Sequence, residues 1–232
     1  MKQAFFIDVH KGATALVVLA CIVVFHKMNS VTAWMYFALH GTYGVLWVLK
    51  SRVFGDKHWE SHASVGRAAL IWAGLSLYWV SPVLICARAT EDPPALVAVS
   101  TVLFGLGVFL HFASDMQKHM HLKLAPHTLL HTGLWARTRN PNYLGELLIY
   151  LSFALLTWHP YPFVVLALFF AVEWWPNMRK KDASLARYPG FAAYAAKSGR
   201  LFPKLGWADE RVGYALFCTV ARRSRPSAVR SK

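Results

Sequence analysis

Three polar stretches in an otherwise apolar chain carry side chains suited to chemistry. The first is Arg137-Thr-Arg-Asn-Pro-Asn-Tyr-Leu-Gly-Glu146. Pro141 suits the first turn of a helix, with Asn140 as its cap and two arginines just ahead. A helix N-terminus offers free N–H donors and partial positive charge, so Arg137 and Arg139 beside it favour an anion. Asn142 and Glu146 are four residues apart and share a helix face, and Tyr143 lies on the same turn. Glu146 then stands one turn into an apolar block, where a carboxylate needs a partner or a polar cavity. The alternative is interfacial anchoring, with Arg and Tyr at the headgroups and Glu146 paired with an arginine.

The second stretch is Ser114, Asp115, Gln117 and Lys118. Asp115 and Lys118 are three apart and would also pair as an ordinary helix end. The third runs from Arg179-Lys-Lys-Asp182 through Arg187, Tyr188, Tyr194 and Lys197 to Arg200. Its cations suit phosphates and its tyrosines suit stacking on a nucleobase or ribose, although basic residues after a span also serve as anchors. His127 and His131 are four apart with His119 and His121 nearby, but no HExxH or carboxylate-rich set joins them, and no metal site is expected. The loop Asp56-Lys-His-Trp-Glu60 reads as solvated. Neither GxGxxG nor GxxxxGK[ST] occurs, and Gly105 and Gly107 fall in the middle of an apolar block. A nucleotide, if bound, must be held by helices and loops at a membrane face.

Composition sets where these residues sit. Of 232 residues 56% are apolar by type and only 16% are charged, too few polar groups to cover a soluble core. The net charge of +14 falls in clusters between apolar blocks, which argues against a nucleic-acid surface and for basic loops on the cytosolic side. Cys21, Cys86 and Cys218 form no disulfide framework. Six blocks are apolar: Ala13–Phe25, Val31–Leu49, Ala68–Ala87, Ala95–Phe112, Leu144–Trp158 and Phe163–Trp175. With cytosolic termini, every Lys and Arg except Lys27 and Arg88 falls on the cytosolic face, Lys11 and Lys50 included. The expectation is an all-α polytopic transmembrane bundle of about six spans. Its regions are N-terminal spans over 1–112, a cofactor-binding region over 113–203 and a basic cytosolic tail over 204–232. Past the last block, Lys181–Lys197 reads as an amphipathic helix interrupted at Tyr188-Pro189-Gly190. The location would be the endoplasmic reticulum in a eukaryote or the inner membrane in a bacterium.

Gly133–Glu146, GLWARTRNPNYLGE, resembles the signature of the membrane reductases that include steroid 5-alpha-reductases and sterol reductases. Asp115 and Lys118 in ASDMQKH resemble a second element of that family, and Tyr188, Tyr194 and Arg200-Leu-Phe-Pro203 resemble its tyrosine-rich ending. The resemblance covers about 112–203. It implies NADPH bound from the cytosol and a hydrophobic substrate entering from the bilayer, with reduction of a C=C bond. It implies cofactor contacts from Asp115, Lys118, Arg137, Arg139, Asn142, Tyr143, Arg187, Tyr188, Tyr194 and Arg200, and acid or polarising roles for Tyr143 and Glu146. The architecture is similar to that of isoprenylcysteine carboxyl and phospholipid methyltransferases, which use S-adenosylmethionine. Those carry paired acids after the last span, where this chain has Arg179-Lys-Lys-Asp182. A non-catalytic membrane protein that binds lipid or a partner is the third reading.

Overall fold

The computed structural model describes residues 1–204, so Cys218 and all but the first residue of the basic tail lie outside the described residues. The helices are α1 (Gln3–Val24), α2 (Val31–Phe54), α3 (Val65–Ser76), α4 (Val80–Ala87), α5 (Pro94–Leu124), α6 (Pro141–Thr157), α7 (Pro160–Phe169), α8 (Trp175–Leu185) and α9 (Phe191–Lys197). Among the described residues the only β-pairing is two isolated bridges. A 3-10 turn joins α3 to α4, so Val65–Ala87 is one rod. A π-helical turn over Phe170–Trp174 joins α7 to α8, where Pro176 cannot supply an amide donor.

The helices start where local chemistry allows. Ser30 caps α2 by accepting from the Ala33 amide at 3.1 Å, and Ser64 caps α3 through the Arg67 amide at 3.2 Å. Proline occupies the first turn of α5, α6 and α7. Pro141 is thus placed as expected, but Asn140 does not cap α6 with its side chain. Its amide nitrogen donates to the Arg200 carbonyl at 2.8 Å and its oxygen accepts from Lys181 at 3.0 Å.

The bundle is apolar outside and partly polar inside. Leu16, Leu70, Val102, Phe109, Val164 and Val172 face outward, while His10, Lys11, His40, Lys50, Ser100 and His111 are buried. Such a surface suits hydrocarbon rather than water. Three rods, Gln3–Val24, Val65–Ala87 and Pro94–Leu124, are long and apolar enough to cross a membrane. The chain is a helical membrane protein. Each of the six apolar blocks becomes part of a rod, but several rods run past their block. Helix α1 begins at Gln3, α2 continues to Phe54 and α5 to Leu124, which draws polar residues into the bundle. Lys11 and Lys50, expected in connecting segments, lie within α1 and α2 and are buried. Lys27 and Arg88, the two basic residues expected apart from the rest, stitch the loops that carry them: Lys27 donates to the Arg88 carbonyl at 2.6 Å, and Arg88 pairs with Asp92 and bonds the last carbonyls of α6.

Past the π turn, α8 begins earlier than the amphipathic helix expected from Lys181, and it ends at Leu185. A left-handed Gly190 (φ 84°) opens α9. The segment around Ser198 is clasped to the approach of α6. Arg139 holds both oxygens of Asp182 in a fork, at 2.9 and 3.1 Å, and donates to the Ser198 carbonyl at 2.6 Å. Arg200 adds a bond to Asp182 at 2.8 Å. The Tyr194 hydroxyl donates to the Trp135 carbonyl at 2.6 Å.

Burial pushes the Asp182 carboxyl up, but hydrogen bonds from Arg139 and Arg200 outweigh it and hold the group below the usual carboxylate range. A depressed folded value means the stabilisation is complete above the unfolded value and fades as pH falls through the folded one. Acidification below the usual carboxylate range should loosen α9 before the bundle. Asp182→Asn should do the same at neutral pH, weakening the docking by about 1.5–3 kcal/mol, the range for hydrogen bonds to a charged group. Hydrogen exchange over Phe191–Leu201 reads both, and unchanged protection in the variant would show that the clasp contributes nothing.

Candidate functional site

A cavity of about 590 Å³ opens at the end of the bundle where α1 and α6 begin and α2 and α5 end. Helix periodicity aims three rows of side chains into it. On α5 these are His111, Asp115 and Lys118; on α6, Asn142, Glu146 and Tyr150. At 1.5 Å per residue, the α6 row descends about 12 Å from Asn142 to Tyr150. The third row, on α3 and the 3-10 turn that follows it, is Arg67, Leu70, Ile71, Leu75 and Tyr78.

Near the outer end, Lys118 pairs with Asp56 at 3.0 Å. Farther along α5, Asp115 pairs with Lys50, whose ammonium also lies 3.3 Å from His111 Nε2. His111 Nδ1 is 3.1 Å from the Asn142 carbonyl. Deeper again, Lys11 donates to the hydroxyls of Tyr43 at 3.2 Å and Tyr150 at 2.9 Å, and Tyr43 donates to Glu146 at 3.3 Å. Among the described residues, three buried oxygens on the cavity lining have no hydrogen-bond partner: Asp115 Oδ1, Asn142 Oδ1 and Tyr78 Oη. Buried polar atoms are rarely left unpaired, so a ligand or water belongs there.

Of the site residues expected from sequence, the cavity gathers Asp115, Lys118, Asn142, Tyr143 and Glu146. Asp115 and Lys118 do not pair with each other, and Glu146 takes a tyrosine rather than an arginine. Arg137, Arg139, Arg187, Tyr188, Tyr194 and Arg200 do not line it. Arg139, Tyr194 and Arg200 are engaged in the clasp, and Arg187 lies against Tyr188 on the outside, 5.0 Å from its ring. Arg139 and Arg200 meet the carboxylate of Asp182, and Arg139 and Tyr194 meet backbone carbonyls. Asp56 and Trp59, expected in a solvated loop, line the cavity.

Sequence reasoning missed Lys11, Tyr43, Lys50, Tyr78, His111 and Tyr150. Lys181 also reaches the cavity, donating to the Arg139 carbonyl at 2.8 Å and lying 4.0 Å from the Trp135 ring centroid. Burial first, and then the nearby Lys118 charge, push its ammonium well below the usual lysine range. An anion here would reverse that shift.

A family model described as "Protein of unknown function (DUF1295)" matches residues 1–174, which is 174 of 232 positions. The chain belongs to this family. Within this DUF1295 chain the match takes in α1 to α7 and every cavity residue on them, the N-terminal half included, and stops at Trp174, ahead of α8, α9 and the clasp residues they carry. No curated protein matches the chain at a significant level.

Proposed function

We propose that this protein is a membrane-embedded, NADPH-dependent reductase of a C=C bond in a hydrophobic, lipid- or steroid-like substrate. The observation that carries this reading is one cavity whose lining joins two unlike kinds of side chain. Lys50, Lys118, Lys180 and Lys181 supply cations, and Leu70, Ile71, Leu75 and Phe169 supply apolar surface. Leu70 also reaches the outer, lipid-facing surface, which suits entry of a substrate from the bilayer. The convergence of ASDMQK and RNPNYLGE on this cavity supports the same reading, as does the association of the family with steroid 5-alpha-reductase-like proteins.

The residues present suit a dinucleotide. Lys118, Lys180 and Lys181 would meet phosphates. The unpaired Asp115 Oδ1 and Asn142 Oδ1 would accept from ribose hydroxyls or a carboxamide. NADPH supplies a hydride when bound. The protein's part is to hold cofactor and substrate together, to exclude water and to manage the proton.

One observation favours a second reading, an S-adenosylmethionine-dependent methyltransferase of a lipid or isoprenylcysteine. Glu146 and Glu173 both line the cavity, and a pair of carboxylates suits a sulfonium. Titrating the purified protein in nanodiscs with each cofactor decides between them. NADPH binding that weakens at least tenfold in Lys118→Met is expected. Binding of S-adenosylmethionine without NADPH binding would overturn the reductase reading.

A further inference from the structure

The α3 row of the cavity begins with a charge that neither the family resemblance nor the cofactor reading uses. Arg67, Leu70, Ile71, Leu75 and Tyr78 share one face of the rod Val65–Ala87, and all line the cavity. Exposure falls along that face. Arg67 and Leu70 are exposed, Ile71 and Leu75 are half-buried, and Tyr78 is buried. From Arg67 to Tyr78 the rod advances about 16 Å. Phe169 bounds the inner end: its ring centroid lies 5.2 Å from that of Tyr78, and a Cβ on Gly74 would stand 3.5 Å from its Cζ. The face is a track that starts at a cation, runs over aliphatic side chains and ends on aromatic rings.

Arg67 is oriented but not neutralised. Its Nε donates to the Gln3 side-chain oxygen at 3.3 Å, and Gln3 Nε2 is fixed in turn on the Ser61 hydroxyl at 2.7 Å. Among the described residues, the two terminal nitrogens of its fork meet no acceptor. The other cavity cations differ. Lys50 and Lys118 pair with Asp115 and Asp56, Lys11 donates to Tyr43 and Tyr150, and Lys181 donates to oxygens of Arg139 and Asn140. Lys180 is unengaged too, but α8 carries it beside Lys181. An arginine that served only as a headgroup anchor would belong on the lipid face of α3. This one heads the apolar row inside the cavity mouth. A guanidinium with both terminal nitrogens open takes an oxyanion through two parallel bonds.

We infer that the lipid taken up along α3 is an anionic amphiphile, with its carboxylate or phosphate head on the Arg67 fork and its chain along Leu70, Ile71 and Leu75. The inference rests on the reductase reading and narrows its substrate from hydrophobic lipids in general to single-chain lipid anions. The head stays at the exposed mouth, so the cost of burying a charge is avoided. The chain replaces water over the half-buried part of the row, which is where apolar burial contributes. An uncharged lipid can use the apolar row but leaves the fork empty, so Arg67 discriminates between lipids by their heads. It is a specificity-determining residue on this account, remote from the reacting atoms.

The test is native mass spectrometry of the full chain in phosphatidylcholine nanodiscs with three ligands that share one chain: oleate, oleyl phosphate and oleyl alcohol. At least one anion should bind about tenfold more tightly than the alcohol, the scale of hydrogen bonds to a charged group. The tighter anion names the head as carboxylate or phosphate. Arg67→Gln should remove the preference for anions, and Arg67→Lys, which keeps the charge without the fork, should restore part of it. Leu75→Trp, which fills the row, should weaken all three ligands. Equal binding of the alcohol and both anions overturns the inference, and so does a preference that survives Arg67→Gln. NADPH titration on the same variants separates the two sites. Loss of NADPH affinity in Arg67→Gln would place Arg67 with the cofactor and overturn the inference as well. Anion binding that depends on Arg67 without NADPH binding would leave the lipid site standing and remove the reductase. NADPH binding with no preference for anions would do the reverse.

Discussion

Replacing Asp115 by Ala is expected to destabilise the bundle by about 3–5 kcal/mol, the cost of leaving one member of a buried ion pair alone. Lys50 and Asp115 have side chains only 7% and 8% exposed. Without the carboxylate, the Lys50 ammonium faces His111, a poor counter-charge, and the Trp47 ring at 4.8 Å. Removing both charges is a different experiment. Lys50→Met with Asp115→Leu fills similar volume and exposes no unpaired ion, so most of the lost stability should return. Cofactor affinity should not return with it, because Asp115 Oδ1 is one of the unpaired acceptors of the cavity. Thermal unfolding in detergent and cofactor titration on the two variants separate these effects. Recovery of both stability and binding would mean that the pair is only structural and that the cavity takes its ligand elsewhere.

The same two residues show what sequence could and could not supply. Asn142 and Glu146 were legible as one face of a helix because their spacing fixes it, and both face the cavity. The helical membrane class was legible because hydropathy reports it. Lys11 and Lys50 were not, because a lysine at the border of an apolar block has the same pattern whether it anchors at the headgroups or turns inward. The signal lay in the flanks. Phe5, Phe6, Ile7 and Val9 precede Lys11, so α1 was already an apolar helix with Asp8, His10 and Lys11 inside it. Ionisable residues in that setting are functional candidates by default.

The clasp residues failed for a different reason. A planar guanidinium recognises a carboxylate and a phosphate by the same fork, so Arg139 and Arg200 read equally as cofactor contacts or as partners of Asp182. Only the placement of α8 and α9 decides. The pairing of Tyr150 with Lys11 joins residues 139 positions apart, and no local pattern encodes it.

Gly145→Val should abolish folding of the bundle, because α5 and α6 meet there backbone to backbone. A Cβ on Gly145 would stand 2.4 Å from the His111 amide nitrogen and 2.6 Å from the Gly107 carbonyl oxygen. Neither atom is the end of a flexible side chain, so the helices themselves must separate. Overpacking a core costs about 1–3 kcal/mol where side chains can shift, and this position exceeds that range because they cannot. Separation would also pull His111 from the Asn142 carbonyl and take Asp115 from Lys50, so the fold and the cavity fail together. Close helix contact through small residues is how membrane bundles pack, since hydrocarbon offers no hydrophobic drive between helices. Gly105 is the control. A Cβ there meets nothing within 4 Å, and Gly105→Ala should be neutral or stabilising by about 0.5–1 kcal/mol through helix propensity. The monodisperse fraction on size exclusion and the midpoint of thermal unfolding distinguish the two variants. In sequence Gly105 and Gly107 read as an incomplete nucleotide-loop pattern, but packing separates them: Gly107 belongs to the α5–α6 contact that holds the site, and Gly105 faces out. A folded Gly145→Val protein with an intact cavity would show that this contact does not hold the site.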